Sequence, residues 1–280
     1  MSGKEIDNGI RRAAELIRHA DALIIAAGAG MGVDSGLPDF RGRSGFWKAY
    51  PTLGRQKIDF ASIASPQALN ARPTRVWGFY GHRLDLYRRT APHDGFNILK
   101  KWAECMSGGY QIFTSNVDEH FQKAGFDSDR VHECHGSIHR FQCSIPCSDD
   151  IWLGDNFIPE LDIENCRLLN ASPKCIHCDA IARPNALLFN DAQWVDTRQS
   201  EQEAAQQLWL ASINNPLVIE IGAGISIPTV RFFSERTTKQ HKGHLIRINP
   251  THPKVPRQID VGLRLGALEA LMAIDRVLNE

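Results

Sequence analysis

The 280-residue chain contains no apolar run approaching the ~18 consecutive residues of a membrane span. It has no excess of charge of either sign, because 32 basic residues face 32 acidic ones. That balance provides no electrostatic footprint for nucleic acid or for an anionic membrane surface. The first residues, Met-Ser-Gly-Lys-Glu-Ile-Asp, lack the apolar segment of a secretory signal, so a cytoplasmic location is expected. Cysteines number only seven; an odd count in such a context argues against a disulfide framework and for metal binding or free thiols. There is no internal repeat and no low-complexity tract. Hydrophobic content of 42% and charged content of 23% are those of a soluble globular protein, long enough for one large domain with a smaller one attached.

What is present starts with residues 22–42. Ala22 to Ala27 is an apolar run that reads as a buried parallel strand. It stops at Gly28-Ala-Gly30, and Met31 to Ser35 can begin a helix. Glycines at a strand-to-helix turn let backbone N–H groups approach a phosphate, and a helix N-terminus favours the negative charge. One usual companion is missing: no acidic residue marks a ribose position about 20 residues beyond the glycines. The turn-rich loop Gly36-Leu-Pro-Asp-Phe-Arg-Gly42 follows instead, which suggests a covering loop over a dinucleotide whose far end is chemically used.

Helical spacing of apolar residues predicts helices over 5–19, 75–89, 96–106, 201–213 and 266–278. Strands are expected at 110–115, 185–190, 217–222 and 244–249. The alternation gives an α/β fold with a parallel sheet. Two segments interrupt it. Residues 45–90 are rich in aromatics and broken by Pro51, Pro66 and Pro73, and read as a helical module. Residues 137–184 carry Cys143-x3-Cys147 and Cys175-x2-Cys178, a spacing suited to a tetrahedral four-thiolate zinc site that stabilises a small loop-rich insertion. The large domain then takes 1–44, 91–136 and 185–280, and the small one takes the modules at 45–90 and 137–184. Cys105, Cys134 and Cys166 are expected to be buried apolar side chains; the lesser alternative for the metal set is that His177, between two ligand cysteines, competes with one of them.

Asn116-Val-Asp118 ends the 110–115 strand, at the edge where open α/β sheets bind ligands; the same residue types also cap helices. His132, His135 and His139 fall within eight positions.

Together these motifs resemble the sirtuin family of NAD-dependent protein deacylases, in the family's order and over nearly the whole chain. Gly28 to Gly42 is similar to its first NAD motif, Thr114-Ser-Asn-Val-Asp118 to its Thr-Gln-Asn-Ile/Val-Asp motif, and Glu133-Cys-His-Gly136 to its Glu-Leu-His-Gly motif. The cysteine pairs match its zinc module. The resemblance implies a Rossmann-like sheet with a small zinc-binding and helical domain formed by two insertions. It implies NAD as co-substrate, structural Zn2+, and an acylated-lysine protein or peptide as partner.

It also implies roles. Gly28, Ala29, Gly30 and Ser226 line the phosphates, and Gly222 and Gly224 belong to the same cofactor-binding set. Ser115, Asn116 and Asp118 lie at the nicotinamide side, where Asn116 and Asp118 hold the amide, and Asn249 and Ala267 lie at the adenosine half. Asp39, Phe40 and Arg41 form the lid over the reactive ribose. His135 is the general base on a ribose hydroxyl, a task for an imidazole titrating near neutrality; His132 and His139 have no expected catalytic part. The products are free lysine, nicotinamide and O-acyl-ADP-ribose. Tyr80-Gly-His-Arg83 resembles the Tyr-x-x-Arg pair with which some members read the carboxylate of malonyl- or succinyl-lysine; a guanidinium and a phenol one helical turn apart can clamp such a group.

The chain departs from the family at Ser115, which stands for a glutamine, and at Arg43, where acyl-selective members tend to have a small residue. Ala186-Leu-Leu-Phe-Asn-Asp191 replaces the usual peptide-pairing strand. Gly222-Ala-Gly-Ile-Ser-Ile-Pro228 is shortened, as in divergent members that transfer ADP-ribose. Two alternatives to deacylation follow: an ADP-ribosyltransferase or NAD glycohydrolase, and a non-catalytic NAD or ADP-ribose sensor.

Overall fold

The computed structural model describes residues 3–38 and 43–280. In chain order the strands are β1 (Leu23–Ala27), β2 (Tyr110–Thr114), β3 (Val131–Glu133), β4 (Gly136–Cys143), β5 (Trp152–Leu153), β6 (Leu161–Asp162), β7 (Arg167–Leu168), β8 (Ala182–Ala186), β9 (Leu217–Ile221), β10 (His244–Ile248) and β11 (Val261–Leu263). Six of them form one all-parallel sheet in the order β11-β10-β9-β1-β2-β3.

The central strand explains its own composition. Leu23, Ile25 and Ala27 enter one core, and Ile24 and Ala26 enter the other. A strand covered on both faces has no polar side to show, so it reads as a continuous apolar run. Helices Gly3–Arg18, Asp94–Glu104 and Ala267–Leu278 cover one face; Thr197–Ser212 and Thr229–Gln240 cover the other. In register, Ala27 pairs with Thr114 of β2 and with Ile221 of β9. Three strands therefore end level, and their following loops share one edge. No helix among the described residues is long and apolar enough to cross a membrane.

A further core lies between the helix Pro73–Arg89, the short helices from Arg43 to Ala71, and the antiparallel sheet β5-β4-β8. Prolines start three of its helices, Pro51–Arg55, Pro66–Ala71 and Pro73–Arg89, where the missing N–H costs nothing. Its aromatic residues are largely interior: Phe46, Tyr50, Trp77 and Phe79 are all buried.

The five helices expected from periodicity are present with bounds shifted by a few residues. The helix expected from Met31 is a 3-10 helix, Ala29–Ser35, stopped by Gly36 at φ 87°. One strand expectation fails. Residues 185–190 do not form a strand of the parallel sheet; the strand is β8, and it pairs antiparallel with β4. Arg183 and Pro184 hid it. The Arg183 guanidinium is neutralised in the interior by Asp191, and Pro184 is tolerated because β8 is an edge strand of its sheet. Beyond Ala186 the chain is held by single bonds, Leu187 N–H to His135 O (3.0 Å) and Phe189 N–H to Ala64 O (2.9 Å), before Asn190 turns at φ 55°. Strands β3 and β11 escaped the sequence reading because three residues are too few to show a period.

Candidate active site

The loops after β1 and β9 touch backbone to backbone. Gly28 N–H donates to Ile221 O (2.9 Å) and Gly30 N–H to Gly222 O (3.1 Å). A Cβ at Gly28 would lie 2.7 Å from Gly222 O, and one at Gly30 would lie 2.6 Å from Gly222 Cα. Gly222 itself sits at φ 63°, in the left-handed region. The glycines are thus required first by each other. Met31 N–H is also engaged, on Gly28 O (3.0 Å), so the N–H groups of Gly28, Gly30 and Met31 all have protein acceptors.

Long-range side-chain bonds fix the turn and the helix that follows it. Asn116 Nδ2 donates to Gly28 O (3.0 Å). His93 accepts from Gly95 N–H at Nδ1 (3.0 Å), so its proton is on Nε2, which donates to Met31 O (2.9 Å). Its backbone N–H donates to Ser35 Oγ (3.0 Å). Asp34 Oδ2 accepts from Leu268 N–H (2.8 Å), serving the helix Ala267–Leu278 as an N-cap side chain would.

A cavity of about 200 Å³ opens beside this turn at the carboxyl edge of the sheet. Ala29, Ser115, Asn116, Asp118 and His135 line it, and so do Phe60, Tyr80, Arg83 and Tyr87. The chain from Ala186 to Phe189, with Ile227 and with Leu37, Pro38, Ala64 and Val117, also contributes to its wall. The two readings of Asp118 prove compatible: its Oδ1 accepts from His120 N–H (3.1 Å), capping the short helix His120–Lys123, while the residue lines the cavity. His135 occupies the turn between β3 and β4, which Gly136 closes at φ 71°.

The other two histidines differ from it in their setting. His132 is buried; its Nδ1 meets Gln206 Oε1 (3.0 Å) and its Nε2 meets Gln199 Nε2 (2.9 Å), an arrangement for a neutral ring. Burial lowers the pKa of both His132 and His139. Glu133, two residues before His135, is pushed up to about 7 by burial, against the pull of Arg198.

Tyr80 and Arg83 reach the same cavity as His135, and the structure adds Tyr87 and Phe60 to them. Arg83 donates from Nε (3.1 Å) and from its NH2 nitrogen (2.7 Å) to the Tyr87 hydroxyl. Its guanidinium carbon lies 5.3 to 5.8 Å from the ring centroids of Phe60, Phe79, Tyr80 and Tyr87. Burial pushes Tyr80 up to about 12 despite Arg83, so it is a phenol donor at neutral pH. The i, i+4 spacing of Arg83 and Tyr87 was the available sequence signal.

Other expected site residues are placed elsewhere. Gly224 and Ser226 are exposed on the 222–228 loop. Ala267 is buried in the core as the first residue of its helix. The Asn249 carboxamide is occupied: Nδ2 donates to Ala223 O (3.0 Å), and Oδ1 accepts from Thr251 N–H (3.0 Å) and His252 N–H (2.9 Å). It ties two loops together. Asp39, Phe40 and Arg41 lie outside the described residues.

Cys143, Cys147, Cys175 and Cys178 converge, with all four sulfurs within 4.8 Å of one another. The Cys143–Cys178 and Cys147–Cys175 pairs are 3.7 and 3.6 Å apart. A tetrahedron with zinc–sulfur bonds of about 2.3 Å has edges of about 3.8 Å, so the four thiolates fit zinc. His177 is not a ligand; its Nε2 meets Asp150 Oδ2 at 2.6 Å. Of the remaining cysteines, Cys166 is buried as expected and Cys134 is half-buried. Cys105 is exposed, contrary to expectation, because it caps the end of Asp94–Glu104 where the helix reaches the surface. Replacing Cys175 by serine is expected to reduce bound zinc to well below one per chain and to lower the melting temperature by more than 10 °C, since a structural zinc holds on the order of 10 kcal/mol of folding free energy. Metal analysis beside thermal unfolding checks both; full zinc content in the variant would reject the four-thiolate assignment.

The comparisons with known proteins agree with this geometry. A family model, Sir2 family, matches residues 28–218. An NAD-dependent protein deacylase of Aquifex aeolicus is 26% identical over 258 residues, covering 92% of this chain and 95% of that protein. One of Corynebacterium glutamicum is 29% identical over 282 residues, covering both chains completely. Among solved structures, a Sir2 homologue variant in complex with ADP-ribose aligns with a TM-score of 0.72 at 22% identity, over 100% of this chain and 97% of that one. A Sir2 homologue–NAD complex aligns with a TM-score of 0.71 at 23% identity, over 96% and 93%. The structural likeness establishes the fold, and the family match spans well over half of the sequence: this chain belongs to the Sir2 family.

Proposed function

We propose that the protein is an NAD-dependent protein-lysine deacylase, and that its acyl substrates include those ending in a carboxylate, such as malonyl and succinyl. The carrying observation is the single cavity shared by His135, Asn116 and Asp118 with Tyr80 and Arg83. The curated relatives named NAD-dependent protein deacylase support the reaction class.

The donor set fits NAD. Asn116 and Asp118 bring a carboxamide and a carboxylate to one cavity, the pair of groups that a primary amide can both donate to and accept from. Because the N–H groups of Gly28, Gly30 and Met31 already have protein acceptors, the phosphates fall to Ala29 and the exposed 224–226 loop. Bound NAD supplies an anomeric carbon that a cationic leaving group makes electrophilic. His135 takes a proton from a ribose hydroxyl. The apolar stretch Ala186 to Phe189 keeps water from the acyl group, and Arg83 meets the carboxylate of an acidic acyl chain with a charge that guanidinium does not lose.

Incubation with NAD and acetyl-, malonyl- and succinyl-lysine peptides, followed by mass spectrometry, tests the proposal. O-acyl-ADP-ribose with free lysine is the expected result. Nicotinamide release without deacylation, or ADP-ribose added to protein, would replace it with the transferase or glycohydrolase reading; NAD binding without turnover would replace it with the sensor.

A further inference from the structure

We propose that Tyr87 is a specificity-positioning residue that sets how Arg83 faces an acidic acyl chain. This rests on the reading of Arg83 as the carboxylate-binding group of the cavity.

Arg83 is buried, and it stands on a helix between two tyrosines of the cavity wall, Tyr80 three residues before it and Tyr87 four residues after. The two phenols do different things. Both the Nε and the NH2 nitrogens of Arg83 converge on the single hydroxyl oxygen of Tyr87, at 3.1 and 2.7 Å. A guanidinium is a planar fork, so fixing two of its nitrogens on one point fixes the plane and the direction of the whole group. A phenol does so without neutralising the charge, as a carboxylate in the same place would. The two bonds to the Tyr87 hydroxyl thus set the orientation of the guanidinium before an acyl chain binds.

Tyr87 is itself held at its other end. Its carbonyl accepts from Lys123 Nζ (2.9 Å), which also donates to Arg88 O (2.7 Å) and Thr90 O (2.8 Å). Lys123 closes the short helix that Asp118 caps, so the ammonium links the Asn116–Asp118 segment to the end of the helix bearing Arg83. The backbone that carries the Tyr87 phenol is thus fixed from the sheet side, and the Arg83 guanidinium is bonded to the phenol. Four aromatic rings around the guanidinium restrict any other rotamer.

The test compares Tyr87→Phe, Arg83→Met and the parent protein with NAD on acetyl-lysine and succinyl-lysine peptides of one sequence. Tyr87→Phe keeps the ring and removes only the oxygen. It is expected to lower the ratio of kcat/KM for succinyl over acetyl peptide about tenfold, the loss appearing in KM for the succinyl peptide, as befits removal of the oxygen on which both bonds from the charged group converge. Arg83→Met is expected to lower the ratio further. If Arg83→Met collapses the ratio while Tyr87→Phe leaves it unchanged, the carboxylate reading of Arg83 stands and the role of Tyr87 is overturned. If neither variant moves the ratio, the acidic-acyl reading itself falls, and the inference with it. A loss in Tyr87→Phe that is equal for both peptides marks a structural residue and also overturns the proposal.

Discussion

Replacing His135 by alanine is expected to abolish turnover, by on the order of 10²- to 10⁴-fold in kcat, while NAD still binds. The size is that of a positioned general base. The geometry separates this histidine from its neighbours. His132 has Gln206 and Gln199 on its two nitrogens and is closed off from the cavity by its own burial, whereas His135 lines the cavity with Asn116 and Asp118. The turn that carries it is braced rather than loose: Leu187 N–H bonds His135 O, and Gly136 leaves no room for a side chain against Asn185 O. The imidazole can therefore be removed without freeing the backbone, and loss of activity will report chemistry. Calorimetric titration with NAD and a mass-spectrometric turnover assay on the same preparation check the two halves. Unchanged turnover would remove His135 from the mechanism.

Gly222→Ala is expected to cost more than about 4 kcal/mol of stability, enough to leave little folded protein. Two penalties add. An alanine at φ 63° is strained by about 1–2 kcal/mol, and its methyl would fall on the backbone of Gly30, which the central strand holds in place. Backbone cannot rotate aside as a flexible side chain does, so the sheet edge must open, and effects of this size come only from such named clashes. Gly224→Ala is the control. It lies two residues on, in the same loop, and a Cβ there meets nothing within 4 Å. Its stability is expected to stay within about 1 kcal/mol of the parent. Urea unfolding of both variants decides the matter; equal effects would mean that the loop contact does not hold the two turns together.

Much of this was legible in the chain itself, and some of it was not, for reasons that the residues show. The run Ala22 to Ala27 announced a buried strand because six consecutive apolar residues leave it no polar face. The cysteine pairs announced their metal because ligand spacing is local within each pair, and the fold had only to bring two pairs together. β8 was misread because Arg183 and Pro184 look polar and strand-breaking; only Asp191, buried against Arg183, makes them interior residues. Cys105 was misread because composition does not say where a helix meets the surface.

The sequence by itself determined the α/β class, the family, the two cysteine pairs and part of the cavity lining, Ala29, Tyr80, Arg83, Ser115, Asn116, Asp118 and His135, since each lies in a motif that neighbours along the chain complete. The tertiary structure decided what those residues do to one another. It showed that Gly28 and Gly30 are glycines because Gly222 lies against them, that His93 and Asp34 pin the turn from remote helices, and that the Tyr87 hydroxyl receives Arg83. The glycine contact, the two pins and the brace on Tyr87 join positions tens to hundreds of residues apart, and no local periodicity encodes a contact that exists only once the sheet has brought its strand ends level; the Arg83–Tyr87 pair is local in spacing, yet only the packed helix shows the direction in which the guanidinium points.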